Sequence, residues 1–147
     1  MLHLVRYMTN IGLVSCVGAK RTGRVPAADL YTSPWFRKAK QYVTTRCERW
    51  YILSAKYGLL CPDELVEPYE RTLNNMPQVE RRAWASTVSD RLRALLGHDD
   101  RLTILAGVRY REFLLPLLSE GGHKIVVPME GLTIGRQLNW LDQQLRR

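Results

Sequence analysis

The chain has only three cysteines, Cys16, Cys47 and Cys61, and none stands at Cys-x-x-Cys spacing from another. So odd and scattered a set argues against a disulfide framework or a structural zinc site and leaves free, mostly buried thiols as the expectation. Histidine is as scarce. His3, His98 and His123 fall in the lead-in and in turns, so neither a metal site nor a histidine base is expected. No apolar run reaches the ~18 residues of a membrane span. The apolar start is broken by Arg6, Thr9 and Asn10, which is not the pattern of a signal peptide, and the cytoplasm is the expected compartment. Phosphate-binding glycine motifs are lacking too: residues 12–20 do not form a Walker loop, and Gly18 has no partner glycine at dinucleotide spacing. No cofactor is evident. No repeat, linker or low-complexity segment divides the chain, which reads as a single domain over 1–147 with residues 1–10 as a frayed lead-in.

What is present is globular: 147 residues, 46% of them hydrophobic, enough for a sizeable core. The net charge of +8, from 22 basic and 14 acidic residues, suits an anionic partner such as nucleic acid or a nucleotide. A protein partner or a second copy of the chain stays open. Basic residues cluster at Lys20, Arg21 and Arg24, at Arg37, Lys38 and Lys40, and at Arg109 and Arg111; two of these clusters follow expected strands.

Short apolar runs at 11–17, 50–54, 102–106 and 124–127 read as strands, each stopped by Gly, Pro or charge. Between and after them lie helical patterns. The first opens with Ser33 as N-cap and Pro34 at the first helical position, and carries Trp35, Phe36, Ala39, Tyr42 and Val43 at helical spacing. Others span 78–96, with Gly97 as its C-terminal cap, 108–118 and 133–145. The charged face of the 78–96 helix reads as solvated surface before nucleic-acid surface. Residues 20–26 read as a loop, and the stretch after the second strand, to Pro77, as a long connection, either functional or holding short helices. Four strands alternating with helices predict a single three-layer α/β domain with a mainly parallel sheet of at least four strands.

A parallel sheet brings the strand ends to one edge, where open α/β sheets bind ligands. That edge would gather Ser15, Cys16 and Lys20; Ser54, Lys56 and Tyr57; Gly107, Arg109 and Tyr110; and Glu130, Gly131, Gly135, Arg136 and Gln137. Cations suit phosphate and tyrosine rings suit a base. The turn 131–135 either seats a phosphate on its amides or is a plain turn before a capped helix.

Two stretches carry a family resemblance. Residues 57–69, Tyr-Gly-Leu-Leu-Cys-Pro running to Pro68-Tyr69, resemble the signature of the YaaA family, bacterial proteins associated with peroxide stress and DNA binding. Residues 15–20 with 31–36 resemble the Pro-Cys-x-x-x-Lys-Pro-Tyr-x-x-Ser-x-x-His motif of archaeosine synthase, a tRNA enzyme that adds lysine to a deazaguanine base. Here Ser15 stands at the proline, Phe36 at the histidine, and an insertion separates Lys20 from Tyr31. The resemblance covers residues 11–73 and implies action on nucleic acid.

Residue types and resemblance together give these roles. Lys20 is nucleophile or phosphate anchor, and Cys16 is an activated thiol or buried packing. Glu67 and Glu70, flanking Pro68-Tyr69, are the carboxylates for proton transfer. Ser15, Tyr31, Ser54, Lys56, Tyr57, Tyr69, Gly107, Arg109, Tyr110, Gly131, Gly135 and Gln137 would bind substrate, with Tyr57 and Tyr69 holding a base. Three functions follow: an enzyme of nucleobase or N-glycosidic chemistry; a non-catalytic, stress-related DNA- or RNA-binding protein; or, third in order, a phosphate- or metabolite-binding domain working beside a partner protein.

Overall fold

The computed structural model of the chain describes residues 9–16 and 20–147; the expected lead-in over 1–8 and the strand end at Val17 lie outside them. In chain order the elements are strand β1 (Asn10–Ser15), β2 (Val25–Pro26), helix α1 (Ala27–Leu30), α2 (Pro34–Arg46), β3 (Arg49–Ser54), β4 (Gly58–Leu60) and β5 (Leu65–Val66). A 3-10 turn (Leu73–Asn75), α3 (Gln78–Leu95), β6 (Arg101–Leu105), α4 (Val108–Arg111), α5 (Leu114–Glu120), β7 (Lys124–Val126) and α6 (Ile134–Leu145) complete the chain.

The main sheet runs β4-β3-β1-β6-β7, parallel except for the edge strand β4, which pairs antiparallel with β3. β1 is its centre, with Leu13 opposite both Tyr51 and Ile104. Alternation along β1 splits the core in two. Ile11 and Leu13 join Trp84, Val88 and Leu92 of α3 and Leu114 and Leu118 of α5. Val14 and Cys16 join Trp35, Phe36 and Val43 of α2 and Leu141 of α6 on the other face. The single three-layer α/β domain expected from sequence is what folds, and five strands satisfy "at least four".

Local signals act as read at α2, where the Ser33 hydroxyl accepts the Phe36 amide at 3.2 Å and Pro34 follows. Beyond shifts of one residue at element ends and the short helix α1, the differences are these. Asn10 belongs to β1, not to a lead-in, because the neighbouring Thr9 carbonyl already takes the Arg101 amide at 2.8 Å. The loop over 20–26 ends in β2, antiparallel to β5. The connection over 55–77 holds β4, β5 and the 3-10 turn, pieces too short to show a period. The helix over 108–118 is two, because Pro116 has no amide and would collide with a preceding carbonyl; the restart at Leu114 places it in a first turn. Gly97 is no left-handed cap: α3 ends at an extended Leu96, and the Gly97 amide donates to Asp100 at 2.6 Å.

β3 and β6 flank β1 on opposite sides, so the chain leaves the sheet centre in both directions and opens a crevice at the carboxyl ends of β1 and β6. Close packing of α2 on β1 depends on Gly12, where a Cβ would meet Val43 Cγ1 at 2.8 Å. Gly12→Ala should lower the free energy of unfolding by roughly 1–3 kcal/mol in urea titrations. Gly135→Ala, whose added Cβ meets nothing within 4 Å, should leave it unchanged or raise it.

Candidate functional site

At the crevice, Cys16 and Ser54 end adjacent parallel strands, and both side chains reach one atom, the hydroxyl oxygen of Tyr69. Ser54 donates to it at 2.7 Å while accepting the Tyr57 amide at 3.0 Å. Cys16 Sγ lies 3.0 Å from the same oxygen, the Tyr31 hydroxyl 2.7 Å from it, and the Tyr110 hydroxyl 3.9 Å from Cys16 Sγ. A phenol offers one donor and two acceptor sites. With Ser54 donating, Cys16 and Tyr31 take what remains, so the hydrogen-bonding capacity of Tyr69 is spent inside the protein.

Short-range pairing delivers these residues. Lys20 and Tyr31 form an antiparallel bridge, reinforced by the Arg21 amide on the Leu30 carbonyl at 2.8 Å, so residues 21–30 loop out and the insertion does not part the two. Within that loop β2 pairs with β5, and the Ala27 amide meets the Glu64 carbonyl at 2.7 Å, fixing the connection that presents Tyr69. Lys20 Nζ then stands 4.8 Å from the ring centre of Tyr69 and 5.8 Å from that of Tyr31, a cation over aromatic faces. Tyr57 meets Tyr69 edge to face at 5.5 Å, and Lys56 Nζ lies 5.2 Å over Tyr57, so Lys56, Tyr57, Tyr69 and Lys20 form one line. Of the four, Lys56 is exposed and Tyr57 half-buried, which leaves the Tyr57 ring the one open to a ligand. The ring of Tyr69 is enclosed; it positions its neighbours instead of stacking on a base.

Burial, followed by the adjacent Cys16 sulfur, pushes the hydroxyls of Tyr31, Tyr69 and Tyr110 well above the ordinary value of 10.0. Ser15 is fully buried, and among the described residues its hydroxyl has no partner.

Two cavities flank the cluster. One, of about 280 Å³, sits at the ends of β6 and β7 and is lined by Gly107, Arg111, Met129, Gly131, Thr133 and Gln137 among others. The other, of about 320 Å³, lies beyond the β3–β4 turn against Lys56, Tyr57, Arg71, Met76 and Trp84. The Trp84 indole donates to the Ser54 carbonyl at 2.8 Å, tying that wall to the cluster.

Several expected site residues stand elsewhere. Glu67 and Glu70 are exposed on the connection, where the Glu67 carbonyl accepts from the Tyr57 hydroxyl at 3.4 Å. Arg109 faces Glu112 at 3.4 Å and is absent from both cavity walls. Gly135 lies outside both walls; Gln137 does line the first cavity, but its amide is spent bracing the Trp35 indole and the Leu132 carbonyl, each at 2.8 Å. Arg111 had no assigned role, although spacing of three from Val108 marks it as the arginine on the cavity side of α4. All three cysteines are free, and no group of three metal-ligating side chains occurs among the described residues.

Tyr69→Phe removes the shared oxygen and strands three buried partners; about 1–3 kcal/mol of stability should be lost, against under about 1 kcal/mol for Tyr57→Phe. The raised tyrosine values also set a pH dependence. Folding holds these phenols protonated while the unfolded chain ionises them above 10.0. Their stabilisation is complete below that pH and falls as pH rises, by up to about 1.4 kcal/mol per unit for each tyrosine. Urea midpoints at pH 9 and pH 11 should show the loss, and Tyr31→Phe should flatten it.

Among curated proteins, a Bacillus subtilis (strain 168) protein described as "Uncharacterized protein YfjM" is 34% identical over 108 residues, 69% of this chain and 67% of that one. No solved structure matches significantly. Residues 11–143, from the second residue of the central strand into the last helix, match a family described as of unknown function, DUF6884. The chain belongs to the DUF6884 family.

Proposed function

We propose that the protein acts on a nucleobase, carried in a nucleotide or in nucleic acid, at the carboxyl edge of its sheet. One observation carries this reading: Cys16 and Ser54, from two strand ends, meet on the Tyr69 hydroxyl while Lys20 stands over the Tyr69 ring. Buried polar groups linked in this way are costly to assemble in a core, and they cluster where chemistry requires fixed geometry. The motifs resembling YaaA and archaeosine synthase contribute Cys16, Lys20, Tyr31, Tyr57 and Tyr69, all members of this one cluster or its border.

In this reading Tyr57, half-buried at the rim, takes the base on its ring. Lys20 serves as phosphate anchor or as nucleophile; ring faces hold its ammonium, which suits the anchor, and as nucleophile it would first have to give up a proton. Proton donation falls to the cluster of Cys16 and the protonated tyrosine hydroxyls, not to Glu67 and Glu70, whose exposure keeps them out of it. A second reading, a DNA- or RNA-binding protein without chemistry, draws on the +8 charge and the exposed Arg21, Arg24 and Arg82.

The test is mass spectrometry of a mixed nucleotide, tRNA and DNA pool incubated with the protein. A modified base, a released base or an adduct is expected. Lys20→Ala should reduce its yield by about 100-fold or more, while Glu67→Gln stays within about twofold. An unchanged pool, combined with salt-dependent retention of DNA or RNA, favours the binding protein instead.

A further inference from the structure

We infer that the cavity between α4 and α6 is a phosphate subsite in which Arg111 is the receiving group, and Glu130 the carboxylate that a phosphate displaces. The inference rests on the reading of this sheet edge as a nucleotide site, and extends it to how the anionic part is held.

Among the described residues that line the cavity, Arg111 is the only charged one. Its side chain is 13% exposed, nearly as sequestered as that of Arg81 at 12%, but the two differ in what they bond. Arg81 gives its Nε to Glu112 at 2.8 Å and an Nη to the Met76 carbonyl at 2.5 Å. Among the described residues, the Nε of Arg111 is buried with no partner, and its one polar contact is Nη1 to Glu130 at 3.5 Å, long for such a pair. Glu130 is itself 71% exposed, so solvent screens most of that attraction. A guanidinium carries five N–H donors and never deprotonates; buried with so few acceptors, it is costly. A phosphate corrects this, since two of its oxygens match the Nε–Nη fork.

The surroundings agree with an anion. Arg109, one turn face away, is matched by Glu112 and does not compete. Gly131, at φ 79, bends the chain so that Leu132 and Thr133 line the cavity. A volume of about 280 Å³ holds a phosphate together with part of the group it is attached to. The wall residues Leu105, Ala106 and Gly107 follow β6 directly, and α4 carries both Arg111 into the cavity and Tyr110 to Cys16. A phosphate on Arg111 would therefore place the remainder of its nucleotide beside the cysteine–tyrosine cluster.

The test is calorimetric titration of the full chain, at low ionic strength, with inorganic phosphate, adenosine 5′-monophosphate and adenosine. Phosphate and the monophosphate should bind, and adenosine more weakly than its monophosphate. Arg111→Gln should weaken both anions by about tenfold or more, and Arg111→Lys should restore only part of the loss. Glu130→Gln should strengthen them. Absence of anion binding, or equal binding by wild type and Arg111→Gln, overturns the subsite. Should Arg111→Gln not fold, Glu130→Gln decides, since an unchanged or weakened phosphate affinity overturns the proposal. Phosphate bound through Arg111 without binding of the monophosphate upholds the subsite and counts against the nucleotide reading.

Discussion

The oxygen of the Tyr69 hydroxyl is the point on which the carboxyl edge of this sheet depends. Four segments meet there: the end of β1 through Cys16, the end of α1 through Tyr31, the end of β3 through Ser54, and the connection carrying Tyr69 itself. Cys16 extends the link to Tyr110 on α4. Each polar group is buried, so each must find its partner within the protein, and the geometry that satisfies one constrains the others. The twisted parallel sheet supplies the frame: Ser15 opposite Leu53 fixes how close Cys16 and Ser54 can come. A site assembled from separate strand ends is rigid because the strands are.

This also explains the fate of the positive charge. Much of it is used internally: Lys38 on Asp142 at 2.6 Å holds α2 to α6, Lys40 reaches Asp29 at 3.3 Å, and Arg81 joins α3 to Glu112. On the same helix Arg91 bonds the Leu59 carbonyl and Glu64, and Arg82 lies 4.1 Å over the Phe113 ring. The charged face of α3 is therefore partly a set of struts between elements. Lys20 lies over tyrosine rings, and Arg111 stands at a cavity wall with an Nε that is buried and unpartnered among the described residues.

The layered α/β architecture was legible because its signals are local and repeated. Apolar runs marked the parallel strands of the sheet, and Ser33-Pro34 marked the start of α2. The convergence of Ser15, Cys16, Ser54 and Tyr110 on one edge followed from parallel order alone. What escaped was set by tertiary contacts. β5 and β2 have two residues each and exist because they pair with one another. The approach of Lys20 to Tyr31 depends on a bridge closing ten intervening residues, invisible to spacing. Glu67 and Glu70 look catalytic from their neighbours in sequence, but the connection that buries Tyr69 leaves both outside. Arg111 and Arg109 are two residues apart with the same chemistry; only helical phase separates them.

The central claim, one ligand site at the carboxyl edge around Tyr69, is tested most directly by ring-labelled tyrosine NMR during titration with adenosine 5′-monophosphate and with a single-stranded oligonucleotide. The account predicts shifts at Tyr57 first, followed by Tyr110, Tyr69 and Tyr31 through their shared hydrogen bonds, while Tyr42 and Tyr51, away from that edge, stay still. Binding that leaves Tyr31, Tyr57, Tyr69 and Tyr110 all unmoved would contradict it and move the partner to another surface of the protein.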